Sequence, residues 1–267
     1  MTSASFGSRR IVCKEQRREL SEQRRVLIRG DVVQRPRKPW TPTVQSLLRH
    51  LRLNGLPVPE PLGYDENHEY VGLVAGDAGD QAWHHQLQRD GVRSAGVLLR
   101  RIHDAGATWQ PPDDAIWSVR SRGDVICHGD PQPANFAWRN GTAVGLFDWD
   151  AARPGSRLDD VAYALLWLVP VGVDAAELKR RGFTSMPDRR DRAEAFLDGY
   201  GWQDTINVVE VALARHRQAI EEVEMLGREG HQPHADWVAA GWPDRWRSGL
   251  DRMRLLSNGF DPLIRVC

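Results

Sequence analysis

Residues 125–150 read VICHGDPQPANFAWRNGTAVGLFDWD, and this stretch is the most informative part of the chain for its fold class. The Asn-Gly step at 140–141 predicts a two-residue hairpin, because both residue types tolerate the positive φ of a type I′ turn. In that register Asn135 pairs with Leu146, and Asp148 lies two residues beyond this pair on the same face. Such diagonal neighbours are roughly 7–8 Å apart, so an amide oxygen and a carboxylate could share one hard cation.

A second carboxylate precedes the hairpin. Asp130 follows His128 by two residues and precedes Asn135 by five, on a loop stiffened by two prolines. A His, an Asp, an Asn five residues later and an Asp after a hairpin are typical of a kinase catalytic loop. There the first Asp accepts the proton of the acceptor hydroxyl, and the Asn and later Asp hold Mg²⁺ over the phosphates. The alternative is a turn rich in Asp, Asn and Pro that only caps a strand.

The same stretch resembles the two signature motifs of the aminoglycoside phosphotransferase family, which are small-molecule kinases with a protein-kinase-like fold. The motif residues are His128-Gly129-Asp130, Asn135 and Phe147-Asp148-Trp149-Asp150. Further segments that resemble the family are Gly55–Pro59, Arg153-Pro154-Gly155 and Asp160–Tyr163. The resemblance extends over about residues 30–200 and implies an α+β, bilobal, protein-kinase-like fold.

The resemblance also implies residue roles. Asp130 is the expected catalytic base, and Asn135 and Asp148 are the expected Mg²⁺ ligands. Asp160 is expected to be a structural residue at a helix start. The backbone of Leu73, Val74 and Ala75 is expected to meet the base of the phosphoryl donor, ATP or GTP. Gln132 stands where kinases that phosphorylate Ser or Thr carry a Lys, which favours a small-molecule acceptor.

The first third of the chain departs from the kinase pattern. Kinases cover the phosphates with a glycine-rich turn and pair a strand Lys with a helix Glu. Between Ser8 and Arg29 there is no glycine, and residues 43–54, where Val44 takes the place of the Glu, contain no acid. Arg35 is the best candidate for the Lys, and its planar guanidinium can clamp phosphate. The alternatives are a grip by Arg24, Arg25 or Arg29, or impaired nucleotide binding.

Patterning along the chain predicts two lobes joined by a glycine-rich connector. A nucleotide-binding lobe is predicted over 1–75, a hinge over 76–80, and a helical lobe that contains the catalytic loop and the metal-binding hairpin over 81–267. Apolar stripes predict helices after Thr41, through Ala95–Ile102, after Asp159, and over about 189–200, 204–229 and 234–257.

Composition excludes several classes of protein. The 267 residues include 36 basic and 36 acidic side chains and 11 Trp, which indicates a buried core rather than disorder. The longest central stretch without charge, Val161–Val173, has 13 residues, whereas a membrane span needs about 20. The N-terminus has no apolar run of a signal peptide, and the three cysteines have no metal-ligand spacing. We therefore expect a cytoplasmic protein with no membrane partner.

Charge is unevenly distributed. Residues 1–40 hold 11 Lys or Arg and 4 Asp or Glu. This segment is interpreted as a solvated face or a cover for nucleotide phosphates, and its lack of interleaved aromatic residues disfavours nucleic acid as a partner. The acidic run Glu221, Glu222 and Glu224 is interpreted as solvated helix surface, with an acidic pocket for a cationic acceptor as the alternative. Asp150 is interpreted as a solvent-facing or capping residue, with a second metal as the alternative.

These patterns favour a phosphotransferase that moves the terminal phosphoryl group of ATP or GTP to a hydroxyl of a small molecule, such as an aminoglycoside, sugar or amino alcohol. One alternative is a pseudokinase-like protein that binds nucleotide or ligand without transfer. A remoter alternative is a metal-dependent phosphohydrolase, with ligands drawn from His84, His85, His103, Asp104 and Asp148.

Overall fold

The structure, a computed structural model, describes residues 26–265. Its N-terminal part is an antiparallel four-stranded sheet with one helix, and the strand order is β1-β2-β4-β3. The elements are β1 (Leu27–Arg29), β2 (Val32–Pro36), α1 (Thr41–Leu53), β3 (Pro61–Tyr64) and β4 (His68–Gly72). The basic segment predicted as a solvated face or phosphate cover lies mostly outside the described residues, as do Arg24 and Arg25.

Helix α1 forms where its apolar stripe predicted a helix. Val44, Leu47, Leu48 and Leu51 recur on one helical face, and each is at most 1% exposed. The helix ends before Gly55, whose φ of +73° suits a residue without Cβ. The buried stripe attaches the helix to the core and sets the position of the following strands.

The C-terminal part is mainly helical, as the sequence predicted. Its helices are α2 (Arg89–Gly106), α3 (Arg157–Leu168), α4 (Ala175–Arg180), α5 (Arg189–Tyr200), α6 (Val208–Arg228), α7 (His234–Ala239) and α8 (Trp242–Leu256). The stretch predicted as one helix over 234–257 is divided at Gly241, which has φ +71°. Together with the small strand-rich N-terminal part, these helices form a bilobal protein-kinase-like fold.

Short strands between α2 and α3 carry the catalytic-loop motifs. They are β5 (Val125–Cys127), β6 (Phe136–Arg139), β7 (Thr142–Leu146) and β8 (Arg153–Gly155). Later in the chain, β9 (Ile206–Asn207) and β10 (Leu263–Ile264) form a separate pair. Strand β5 pairs antiparallel with β8. This pairing brings the loop after β5 next to the loop before β8.

The connector predicted over 76–80 is attached to the hairpin. Asp77 forms an isolated antiparallel bridge with Trp138 of β6. A Cβ on Gly76, which has φ +152°, would lie 2.8 Å from the Trp138 carbonyl oxygen, so this position requires glycine. The division of the chain at this connector remains a prediction. Among the described helices, none is long and apolar enough to cross a bilayer.

Candidate functional site

Asp130 lies on the loop after β5, where three nearby side chains contact its carboxylate. Asn135 donates from Nδ2 to Asp130 Oδ2 at 2.8 Å, and also to the Asp130 carbonyl at 2.9 Å. Gln132 donates from Nε2 to both carboxylate oxygens, at 3.0 and 3.2 Å. Tyr163 of α3 adds a side-chain hydrogen bond. The carboxylate is therefore held in one orientation by the residues around it.

Burial raises the pKa of the Asp130 carboxyl above its usual range, and the charge of Asp148 adds to this effect. The nearby His128 and the donors Gln132 and Tyr163 oppose it. A carboxylate withdrawn from water with a raised pKa is a stronger base than an exposed one. This is a property expected of a group that accepts a hydroxyl proton.

Asn135 directly precedes β6 and lies one position away from its predicted place in the ladder, opposite Leu146. Phe136, not Asn135, pairs with Leu146, because a bulge between Ala137 and Trp138 shifts the ladder by one residue. The Asn135 carbonyl accepts instead from the Phe147 amide at 3.0 Å. The predicted register is thus wrong by one residue, because the two-residue turn was taken to continue into a regular ladder.

Asp148 follows Phe147 in a left-handed conformation, with φ 64° and ψ 62°. For a residue with a Cβ this conformation costs roughly 1–2 kcal/mol. It turns the chain sharply between β7 and the short helical turn Trp149–Ala151. The Asp148 side chain is 30% exposed and accepts from Arg35 Nη1 at 3.1 Å.

Arg35 on β2 joins three carboxylates through three different nitrogen atoms. Its Nε donates to Glu69 Oε2 at 2.7 Å, and its Nη1 and Nη2 lie 3.1 Å from Asp148 Oδ1 and Asp150 Oδ1. Asp150, interpreted from the sequence as a solvent-facing or capping residue, has a side chain that is 38% exposed and that also pairs with Arg35. Although burial opposes it, the charges of Asp150, Glu69 and Asp148 raise the pKa of Arg35. The single guanidinium group of Arg35 therefore contacts three carboxylates.

The carboxylate partner of Arg35 comes from a strand instead of a helix. Glu69 lies directly opposite Arg35 in the β2–β4 ladder and is 1% exposed. Gln45 of α1 donates from Nε2 to Glu69 Oε1 at 3.2 Å. Opposite charges at facing positions of paired strands are a recognisable signal. Sequence analysis missed Glu69 because it sought an acid only on the helix.

Lys38 is a second cation near this cluster that sequence analysis did not single out. Its Nζ donates to the Gln232 carbonyl in the turn between α6 and α7. Burial lowers the pKa of Lys38, with Arg35 acting in the same direction and Asp150 opposing. Lys38 thus lies between the two lobes, within electrostatic reach of the acidic cluster.

Leu73, Val74 and Ala75 follow β4 directly and precede the bridge at Asp77. The Leu73 amide donates to the Asp31 carbonyl at 2.7 Å, and its side chain is 45% exposed. Val74 packs against Gly145 of β7, where a Cβ would lie 2.4 Å from Val74 Cγ1. The segment therefore lies between the N-terminal sheet and the hairpin.

His128 and Asp160 brace the catalytic loop from beneath. His128 donates from Nε2 to the Phe147 carbonyl at 2.9 Å and accepts at Nδ1 from the Asp130 amide at 3.2 Å. Asp160, in the first turn of α3, accepts from the amides of His128 and Gly129 at 2.6 and 2.8 Å. Its third partner is His103 Nε2 at 3.0 Å. Asp160, which makes the last three of these contacts, is fully buried.

Comparison with known sequences identifies the family. The sequence model described as "Phosphotransferase enzyme family" matches residues 16–120 and 115–196, well over half of the chain. The chain belongs to the phosphotransferase enzyme family. This confirms the recognition made from the motifs around Asp130 and Asp148, and it makes the protein a phosphotransferase-family enzyme with a kinase-like fold.

Relatives of this family member include an immunity protein. The trifolitoxin immunity protein of Rhizobium leguminosarum bv. trifolii is 35% identical over 184 residues, which are 65% of this chain and 69% of the relative. Solved structures show the same fold at low identity. The macrolide 2′-phosphotransferase of Brachybacterium faecium has a TM-score of 0.52 at 16% identity, over 83% of this chain and 89% of that chain. A choline/ethanolamine kinase family protein of Mesorhizobium loti has a TM-score of 0.53 at 14% identity, over 89% and 86%.

The histidines considered for a phosphohydrolase do not gather around Asp148 in the structure of this family member. Among the described residues, His84 and His85 group with Asp77, and His103 groups with Cys127 and Asp160. His85 is already satisfied, since it donates to Asp77 from Nε2 at 2.7 Å and accepts the Gly141 amide at Nδ1. The ligand set considered for a phosphohydrolase is therefore not assembled at Asp148.

Proposed function

We propose that the protein transfers the terminal phosphoryl group of ATP or GTP to a hydroxyl of a small molecule. The observation that carries this proposal is the oriented carboxylate of Asp130, which lies beside Asn135 and the acidic cluster of Asp148 and Asp150 held by Arg35. Phosphoryl transfer depends mainly on positioning and electrostatic stabilisation. In this proposal Asp130 serves as the acceptor-side base, and the charged cluster around Arg35 meets the donor phosphates.

Asp130 is the proposed base. The acceptor hydroxyl would approach its carboxylate and transfer a proton to it as the oxygen attacks phosphorus. Asn135 and Gln132 hold the carboxylate oxygens by donated hydrogen bonds, which keeps the group oriented before the acceptor arrives. General-base catalysis of this kind contributes roughly 10²–10⁴-fold in rate.

Asn135 and Asp148 are the proposed Mg²⁺ ligands. The Nδ2 group of Asn135 is engaged by Asp130, which leaves its amide oxygen, the atom suited to a hard cation, outside those bonds. Three carboxylates, those of Glu69, Asp148 and Asp150, face one guanidinium, so the cluster can accept further positive charge. Mg²⁺ bound there would neutralise charge on the donor phosphates.

Arg35 and Lys38 are the proposed contacts for the donor phosphates. Arg35 is fully charged and presents a planar fork that suits phosphate oxygens. Lys38 has three donor positions, of which Gln232 takes one. The base of ATP or GTP is proposed to lie against the backbone of Leu73, Val74 and Ala75.

The relationship to the trifolitoxin immunity protein favours a second candidate function. Because that relative is 35% identical over 184 residues, we propose a role in immunity to a toxin as the second candidate function. The toxin itself would then be the acceptor. An acceptor screen should include aminoglycosides and macrolides beside sugars and amino alcohols, with transfer followed by ³¹P NMR.

Thermal stability with ATP and with GTP, each with and without Mg²⁺, tests the proposal. A ligand at 100 times its dissociation constant adds roughly 2.7 kcal/mol to the free energy of unfolding. We expect a Mg²⁺-dependent shift in melting temperature that is absent in Asp148→Ala and retained in Asp204→Ala, an exposed control. No shift with either nucleotide in the wild type would contradict the proposal. Binding without transfer to any acceptor would support the pseudokinase-like alternative.

A further inference from the structure

Two buried arginines share one carboxylate beneath the catalytic loop. Arg153 of β8 and Arg215 of α6 are 1% and 4% exposed, and Glu222 of α6 lies between them. Arg153 Nη2 donates to Glu222 Oε1 at 2.6 Å, and Arg215 Nη2 donates to Glu222 Oε2 at 3.2 Å. The interpretation of Glu222 as solvated helix surface is therefore wrong, because its side chain is only 14% exposed.

Each arginine also holds a backbone carbonyl next to a proposed functional residue. Arg215 Nη2 donates to the carbonyl of Gly129, which immediately precedes Asp130, at 2.9 Å. Arg153 Nη1 donates to the carbonyl of Ala151, which immediately follows Asp150, at 3.2 Å. The two loops that carry the proposed base and the acidic cluster are thus tied to the same carboxylate on α6.

The tied loops contact each other directly. A Cβ on Gly129, which has φ +87°, would lie 2.2 Å from the Ala151 carbonyl oxygen and 2.8 Å from the Ala151 Cβ. The backbones are therefore as close as glycine permits. A small change in the position of either carbonyl would change the separation between Asp130 and the Asp148 and Asp150 carboxylates.

Glu222 differs from Glu224, its neighbour in the acidic run, in its partners and in its exposure. Although burial opposes it, Glu222 raises the pKa of Arg215, which also lies over the Tyr163 ring at 5.0 Å. Glu224, two residues later, instead pairs with Arg247 at 2.6 Å in a more exposed position. Helix α6 lies beyond residue 196, where the match to the family's sequence model ends.

We propose that Glu222 is a positioning residue that sets the spacing between the catalytic loop and the acidic cluster through Arg215 and Arg153. The consequence for transfer rests on the proposed function, whereas the hold on the two loops does not. Removal of Glu222 leaves two buried guanidinium groups without their shared partner, which is costly for a buried charge. A guanidinium group that shifts toward solvent in response releases its carbonyl.

Amide hydrogen exchange of the unliganded protein tests directly whether Glu222 holds the two loops in place. In Glu222→Gln we expect the amides of Gly129, Asp130 and Ala152 to exchange at least 10-fold faster than in the wild type. Glu224→Gln removes the same charge from the same helix and should leave these amides within twofold. Unchanged exchange in both loops of Glu222→Gln would overturn the proposal. Equal acceleration throughout the chain would also overturn it, because that result indicates general destabilisation.

Arg215→Lys is the second variant, which keeps the charge but cannot hold Gly129 and Glu222 with one planar group. It should accelerate exchange at Gly129 and Asp130 and leave Ala152 within twofold. If exchange at Ala152 accelerates as much as exchange at Gly129 and Asp130 in this variant, the two arginines do not hold the two loops separately. This variant carries the test if Glu222→Gln does not fold.

Kinetics then test the functional consequence. For Glu222→Gln we expect the turnover of phosphoryl transfer, to an acceptor or to water, to fall about 10- to 100-fold. The dissociation constant of the Mg²⁺-nucleotide should rise by a smaller factor than the turnover falls, because Arg35, Lys38 and the backbone of Leu73–Ala75 are proposed to contact the nucleotide outside the two loops. Unchanged turnover would overturn a positioning role in transfer. If the wild type neither binds nor turns over nucleotide, the proposed function fails while the exchange result still decides whether Glu222 holds the loops.

Discussion

Arg35 Nη1 lies 3.1 Å from Asp148 Oδ1, and this contact joins residues 113 positions apart in the sequence. Arg35 belongs to the N-terminal sheet, and Asp148 belongs to the turn after the hairpin of the helical lobe. The same guanidinium also contacts Glu69 and Asp150. One side chain therefore links the two lobes at the place where the donor phosphates are proposed to bind.

Arg35→Met should destabilise the protein even without ligand. Glu69, which is 1% exposed, would lose its charged partner, and removal of one member of a buried ion pair typically costs 3–5 kcal/mol. Arg35→Lys keeps the charge but cannot reach three carboxylates with one planar fork, so a smaller loss is expected. Urea denaturation measures the free energy of unfolding, with Arg101→Met, at an exposed position, as the control. Equal stability of Arg35→Met and the control would contradict the structural role.

Asp130→Asn should nearly abolish transfer and preserve the fold. The amide retains the size of the carboxylate but cannot accept the hydroxyl proton, so turnover should fall roughly 10²–10⁴-fold. Mg²⁺-nucleotide affinity, measured by calorimetry, should remain within a few fold, because Asp148 and Arg35 are unchanged. Asp114→Asn, an exposed change of the same kind, should retain full activity. Full turnover in Asp130→Asn would show that another group takes the proton.

How much of this site the sequence reveals depends on how local its contacts are. His128, Asp130, Asn135 and Asp148 all fall between two paired strands, so spacing and one Asn-Gly turn were enough to predict the group. The bulge that shifts the register by one residue has no comparable local signal. It places Phe136 instead of Asn135 opposite Leu146.

The contacts missed from the sequence are long-range. Glu69 becomes visible only when β2 is paired with β4 in the correct register, because then it faces Arg35. Glu222 looks like any acid on an amphipathic helix until the helix is packed against the catalytic loop. Lys38 becomes relevant only when the turn between α6 and α7 is placed beside it. Each requires knowledge of which elements meet in space.

Lys38→Met should weaken nucleotide binding without loss of the fold. A hydrogen bond to a charged group is worth about 1.5–3 kcal/mol, so the dissociation constant of the Mg²⁺-nucleotide should rise about 10-fold or more. Lys179→Met removes an exposed lysine on α4 and should leave affinity unchanged. Calorimetric titration of both variants decides the point. Equal affinities would show that Lys38 serves only the contact with Gln232.

Asp160→Asn should lower stability in a way that depends on pH. The pKa of Asp160 is lowered to about 2: burial opposes the shift, but hydrogen bonds and charge from His103 and the Gly129 amide outweigh it. Because this pKa lies below the ordinary value, the ionised carboxylate stabilises the folded state at pH values above about 4. That stabilisation, about 2 kcal/mol for a shift of this size, is lost as pH falls toward 2.

Asn at position 160 cannot ionise, so the loss of unfolding free energy in Asp160→Asn should depend on pH over the same range. We expect Asp160→Asn to be about 2 kcal/mol less stable than the wild type at pH 7 and at pH 5, with the difference closing below pH 4. Urea denaturation at these pH values measures it, and Asp113→Asn, at an exposed site, should track the wild type throughout. A deficit that stays constant down to pH 2.5 would show that Asp160 acts through the shape of its hydrogen bonds rather than through its charge.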